Sequence, residues 1–107
     1  MNCSQILIRR IEVKYVIERT TRFKREYKLI KKRGYDISLL KTVIEKLANG
    51  EILPAIYKDH PLYSNWKGYR ECHIQNDWLL IYKYKENSNE LILSLTATGT
   101  HSDLFDK

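Results

Sequence analysis

The sequence predicts an α+β domain of the order β-α-α-β-β-β, with an N-terminal strand and an antiparallel helical hairpin packed on a mostly antiparallel sheet. Three observations carry this. Phe23 to Ile30 and Ile37 to Leu47 each space apolar residues as one helical stripe, with a break at Gly34 to Asp36 between them. Three later stretches alternate side chains with the period of two that a strand requires, and short polar turns separate them. With 107 residues the chain supports one core, since two halves would each fall near the lower limit for independent folding.

Residues 1–12 show no period and are read as an N-terminal extension, leaving 13–107 as the domain. Lys14 to Arg19, with Tyr15, Val16 and Ile17, reads as a strand. Thr20 or Thr21 can cap the helix that follows. In it Phe23, Tyr27 and Ile30, with Leu29 beside them, face a core, and Gly34 ends it because glycine adopts the left-handed conformation at little cost. Asp36 is the expected cap of the second helix, whose stripe is Ile37, Leu40, Val43 or Ile44, and Leu47, with Gly50 closing it. Ala55 to Lys67 reads as a loop. The three strands are Gly68 to Ile74, Trp78 to Tyr84 and Leu91 to Thr98, joined by turns at Gln75-Asn76-Asp77 and Lys85 to Glu90. Trp78, Leu80, Tyr82 and Tyr84 share one face and Leu79 and Ile81 the other; Leu91, Leu93, Leu95 and Ala97 are expected to alternate against Ile92, Ser94 and Thr96.

Composition narrows the function classes. No apolar run of about 18 residues exists, so no spanning helix is expected. The N-terminus has no secretory pattern, and two cysteines make neither a disulfide framework nor a thiolate zinc site, which points to the cytoplasm. Net charge is +6, and it is unevenly placed: 13 Lys and Arg oppose 6 acids up to Pro54, against 6 and 7 thereafter. The densest run is Arg22, Lys24, Arg25, Lys28, Lys31, Lys32 and Arg33, opposed only by Glu26. It is either a solvated helix face or a footprint for a polyanion, and an acidic protein partner would suit it equally.

The candidate chemistry lies in the other half. His60, His73 and His101 fall at strand ends and adjoining loops, positions that can converge on one edge of a small sheet. Asp77, four residues after His73, can orient an imidazole or serve only its own turn. Cys72-His73 matches no common zinc spacing, and the two point to opposite faces of a strand, so neither a metal nor a cofactor is expected. Lys58, Trp66, Lys67, Tyr69 and Arg70 interleave cations with aromatics, which suits single-stranded RNA, whose bases stack and whose phosphates need positive charge. The competing reading makes Trp66, Tyr69 and Trp78 core or loop-packing residues.

Several segments resemble the YafQ branch of the RelE/ParE toxin superfamily of bacterial type II toxin–antitoxin systems. They are Tyr57-Lys58-Asp59-His60-Pro61-Leu62, Trp66-Lys67-Gly68-Tyr69-Arg70, His73, Asp77-Trp78, Leu80-Ile81-Tyr82-Lys83 and Gly99-Thr100-His101 with Leu104-Phe105. The resemblance covers about Lys14 to Phe105. It implies a RelE-like fold and a ribosome-dependent mRNA endonuclease that cuts the codon in the A site. It implies that His60, His73, Asp77 and His101 are the catalytic cluster and that Trp78 and Phe105 are supporting aromatics. It further implies a DinJ-like antitoxin with a ribbon-helix-helix half, through which the pair reaches operator DNA, and no membrane role. One position departs from the pattern: Ala97 stands where family members usually carry an Arg. If that Arg neutralises phosphate, Lys58, Lys67 or Arg70 must do so here.

Cleavage of RNA through its own 2′-OH needs a base for the hydroxyl, an acid for the leaving 5′-oxygen and positive charge for the transition state. Two of the three histidines can serve the first two tasks, Trp66 or Trp78 can stack on a base, and the basic first helix can meet ribosomal RNA or the antitoxin. Two other functions share these features in part: a ParE-like toxin acting on a protein such as gyrase, and a non-catalytic RNA-binding module.

Overall fold

The computed structural model describes residues 14–105. Residues 1–12, read above as an extension, lie outside the described residues. The chain runs β1 (Val16–Arg19), α1 (Thr21–Lys32), α2 (Ile37–Ala48), β2 (His60–Pro61), β3 (Arg70–Gln75), β4 (Trp78–Asn87), β5 (Glu90–Gly99) and α3 (His101–Phe105), with short 3-10 turns at Ala55–Tyr57 and Ser64–Trp66. The sheet order is β1-β5-β4-β3-β2, with β1 parallel to β5 and every other pair antiparallel.

Both long helices are bounded by the expected residues. Asp36 caps α2 by accepting from the Ser38 amide at 3.0 Å. At the end of α1, Gly34 (φ +89°) lets its amide donate to Lys31 O and the Tyr35 amide to Ile30 O, the paired bonds that satisfy a helix's last carbonyls. Thr20 does two things at once. Its hydroxyl oxygen accepts from the Phe23 amide at 2.9 Å, and its hydroxyl donates to Thr96 O at 2.8 Å. Thr20→Ala removes both bonds and is expected to cost about 1–2 kcal/mol; Thr20→Ser should recover most of it. The urea midpoint at constant m reads the difference.

Phe23, Ile30, Leu40, Val43 and Leu47 from the helices close over Trp78, Leu80, Tyr82, Leu93 and Leu95 of the sheet, as the periodicity predicts. Leu29 does not join them and stays 43% exposed. The opposite face of the sheet carries a smaller cluster of Leu79, Ile81, Ala97 and Leu104, flanked by Leu62, Trp66 and Tyr69.

Three expectations are corrected, and one element, α3, is added. The loop over Ala55 to Lys67 contains β2, whose two residues pair with Glu71 and Arg70; a two-residue edge strand with a proline has no period to detect. α3 is too short to show a helical period. The turn predicted over Lys85 to Glu90 shrinks to Ser88-Asn89, because Lys85, Glu86 and Asn87 continue the β4 ladder with exposed polar side chains. Finally, Ala97 does not share a face with Leu93 and Leu95. Ile81 pairs with Ala97 while Tyr82 pairs with Leu95, leaving Thr96 as the extra residue of a bulge. One inserted residue moves everything after it to the other face.

Candidate active site

The register places His60, Glu71, Ile81 and Ala97 in one row across β2, β3, β4 and β5, and His73, Leu79 and Gly99 in the next. Side chains directly opposite one another share a face. His60, Glu71 and His73 therefore lie on the side of the sheet away from the two long helices. Glu71 is buried, and its Oε2 lies 3.6 Å from His60 Nε2 and 3.4 Å from His73 Nε2. The second nitrogen of each ring donates to a backbone carbonyl, His60 Nδ1 to Pro61 O at 3.0 Å and His73 Nδ1 to Asn76 O at 3.3 Å. Glu71 thus supplies the negative charge that both imidazoles face.

His101 enters from α3, with its ring centroid 5.6 Å from that of His73. Its amide and its Nδ1 both donate to Asp77 Oδ1, at 2.9 and 2.6 Å. Asp77 therefore orients His101, not the His73 that precedes it in sequence. The tight β3–β4 turn carries Asp77 to the end of the sheet where β5 runs out. The His101 amide, then its ring, hold the Asp77 carboxyl below its ordinary value. With Nδ1 committed to the carboxylate, Nε2 of His101 is left to exchange a proton with a substrate. One chain of contacts, His60–Glu71–His73–His101–Asp77, joins all four expected residues through Glu71, which the sequence reading missed. Its signal was present: Glu71 stands two residues before His73, on the same face of an alternating strand.

The remaining expected residues divide. Lys58 borders a cavity of about 420 Å³ together with His73 and Asn76. Trp66 lies under the Arg22 guanidinium, 5.5 Å from the ring centroid, and edge-on to Tyr69 and Phe105. Phe105 continues to His101 at 6.4 Å. Tyr69 carries Lys83 Nζ at 4.6 Å, and Lys67 is exposed beside it. Arg70 is not brought to this face. It projects to the helix side, where its Nε donates to Asp59 Oδ1 at 2.8 Å, and the Tyr82 hydroxyl donates to the other oxygen of that carboxylate. Trp78 is fully buried in the main core and cannot stack on a base. Of the basic run, Lys24, Arg25, Lys28, Lys31 and Lys32 are exposed on α1, while Arg22 pairs with Glu26 at 2.8 Å.

His60, Glu71 and His73 offer three ligand atoms within 4.8 Å of one another, a spacing that could hold a metal ion. This set was not foreseen. Cys72, the cysteine weighed beside His73, faces the helices, and burial pushes its thiol up.

The His101 arm of the cluster depends on α3. Asp103 in that helix is held near pKa 2, below its ordinary 3.8, chiefly by the Arg33 guanidinium and then by the Thr100 amide. A carboxylate whose folded value is depressed contributes stability that is present above the unfolded value and lost as pH falls through the folded one. The hold of Asp103 on α3 is therefore expected to weaken between about pH 4 and pH 2, followed through the amide NMR shifts of Leu104 and Phe105.

Residues 15–106 match the family described as the bacterial toxin of type II toxin–antitoxin systems, YafQ. The chain belongs to the YafQ toxin family. An mRNA interferase toxin YafQ of Escherichia coli strain B / BL21-DE3 is 46% identical over 90 residues, covering 83% of this chain and 94% of that protein. YafQ in the crystal structure of the E. coli DinJ-YafQ complex superposes with a TM-score of 0.74 at 44% identity, over 85% of this chain and 98% of that one. A metal-bound toxin from Helicobacter pylori superposes at 0.77 with 41% identity, over 85% and 99% of the two chains. Within this YafQ-family chain, Ala97 is fully buried against Ile81, in the same row as His60 and Glu71, and brings no charge to the site.

Proposed function

We propose that this YafQ-family toxin is an endoribonuclease, an mRNA interferase that cuts the codon in the ribosomal A site by acid–base chemistry of its own histidines. The observation that carries the reading is the connected cluster of three imidazoles and two carboxylates on one exposed face. One imidazole takes the 2′-OH proton as that oxygen attacks the neighbouring phosphorus. A second, protonated, gives its proton to the departing 5′-oxygen, leaving a 2′,3′-cyclic phosphate. His101, steered by Asp77 with Nε2 open, fits one of these roles; His60 and His73, paired across Glu71, supply the other. Lys58, beside His73, is the best-placed cation for the phosphate, Lys67 a more distant one, and Trp66, Tyr69 and Phe105 offer faces for bases. A protein-target toxin or a passive RNA-binding module has no need of a buried carboxylate between two histidines. Mapping 5′ ends on programmed ribosomes tests the reading: cuts at A-site codons, absent on naked RNA, are expected.

The toxin domain spans 13–107. No helix among the described residues is long and apolar enough to cross a membrane, and the site of action is the cytoplasm. The inhibitor is a DinJ-like ribbon-helix-helix antitoxin, and the pair represses its own operator DNA. The exposed lysines of α1 serve affinity toward ribosomal RNA. Lys31→Ala with Lys32→Ala should weaken ribosome binding and reduce the slope of log K against log salt by about 2. The cleavage rate at saturating toxin should not change.

A further inference from the structure

We propose that Arg33 and Asp103 form a latch that positions His101, so that Arg33 works for the active site and not for the polyanion-binding face of α1. The inference rests on the nuclease reading above. α3 has five residues, well below the length at which a helix holds itself together in water. Yet it must present His101 at its first position within a fraction of an ångström. Leu104 is its one buried residue, Phe105 adds a part-exposed edge contact to Trp66, and two neighbouring anchors at one end leave the helix free to pivot. Asp77 steadies the other end, but from an exposed turn.

Asp103 supplies the missing constraint. Within the helix it forms a reciprocal cap: the Thr100 amide donates to Asp103 Oδ2 at 2.9 Å, and the Asp103 amide donates to Thr100 Oγ1 at 3.0 Å. The same carboxylate receives Arg33 Nη1 at 2.8 Å and Nη2 at 3.3 Å, a two-point contact that fixes direction as well as distance. Arg33 is itself well anchored. It caps α1, its amide bonds Leu29 O, and the Gly34–Tyr35 turn behind it closes on Ile30, which is buried in the main core. Gly99 completes the arrangement, since a Cβ there would lie 2.9 Å from Asp103 Cβ and Oδ2. The latch thus ties the catalytic helix to the core across 70 residues of sequence.

A solvent-exposed ion pair adds little to global stability, whereas misplacing a catalytic group by about 1 Å can cost about 10²-fold in rate. Arg33→Met is therefore expected to leave the unfolding midpoint and the apparent KM for programmed ribosomes nearly unchanged, and to lower the single-turnover rate by about 10- to 100-fold. Arg33→Lys, which cannot make the two-point contact, should fall between. Amide exchange at Leu104 and Phe105 should quicken. In a His101→Ala background Arg33→Met should cost nothing further, because its effect passes through His101. An equal loss in that background, or a loss confined to KM with unchanged exchange, would overturn the latch and return Arg33 to the binding face. If the wild type cuts no RNA, the nuclease reading fails, while amide exchange in Arg33→Met still decides whether the latch exists.

Discussion

His101→Ala is expected to slow single-turnover cleavage of ribosome-bound mRNA by about 10²–10⁴-fold, the range for removing a general acid or base. The ring donates Nδ1–H to Asp77 at 2.6 Å and lies against His73, so its Nε2 is aimed and open. Alanine removes the proton carrier and leaves the helix in place, because the backbone bond to Asp77, the Thr100–Asp103 cap and the Leu104 anchor do not involve the ring. Ribosome binding should therefore persist while primer-extension stops at A-site codons build up more slowly by that factor. His60→Ala and His73→Ala should each fall in the same range, and Asp77→Asn should lose less, since an amide oxygen can still accept from the ring and hold it in place. Wild-type rates in all three histidine variants would sink the acid–base assignment. Intact mRNA with a wild-type protein that still kills cells would favour a protein target.

Trp78→Ala is expected to remove about 3–5 kcal/mol of folding stability, a large share of the roughly 5–15 kcal/mol that a domain has in total. The indole is fully buried, stands edge-on to Tyr35 at 5.0 Å, and donates from Nε1 to Thr98 Oγ1 at 3.0 Å. Thr98 in turn donates its hydroxyl to Leu79 O at 2.7 Å and its amide to Glu26 Oε1 at 2.9 Å. The indole is thus part of a network that secures the end of β5 at Thr98, just before α3. Alanine leaves both a cavity and a threonine oxygen without its donor. Trp78→Phe keeps most of the volume and should cost about 1–3 kcal/mol. Urea unfolding measures both. Cleavage per folded molecule separates stability from activity: Trp78→Phe should cut at close to the wild-type rate if the indole acts only as core packing, and a collapse in rate at full folding would mean that its bond to Thr98 positions the site.

Much of the architecture was legible because its signals are local. A helix declares itself within two turns by its stripe, its capping Thr20 or Asp36, and its closing Gly34 or Gly50. The faces of β4 follow from alternation, and the resemblance singled out the histidines. The parts that escaped depend on register. Thr96 is one residue of bulge, invisible in an alternating pattern, and it decides that Ala97 lies in the row of His60 and not with Leu93. Arg70 and Glu71 are neighbours in sequence, but the pleat sends one to Asp59 on the helix side and the other between two histidines. Arg33 looked like one more cation of a basic helix until the fold set it against Asp103. The amino-acid sequence by itself determined the elements, their buried faces and the residue types of the site, since periodicity, caps and turn chemistry act over a few residues. Which carboxylate steers which imidazole, and which cation is free, was decided only by tertiary structure, because those pairings depend on strand register and on contacts such as that of Arg33 with Asp103, 70 positions away.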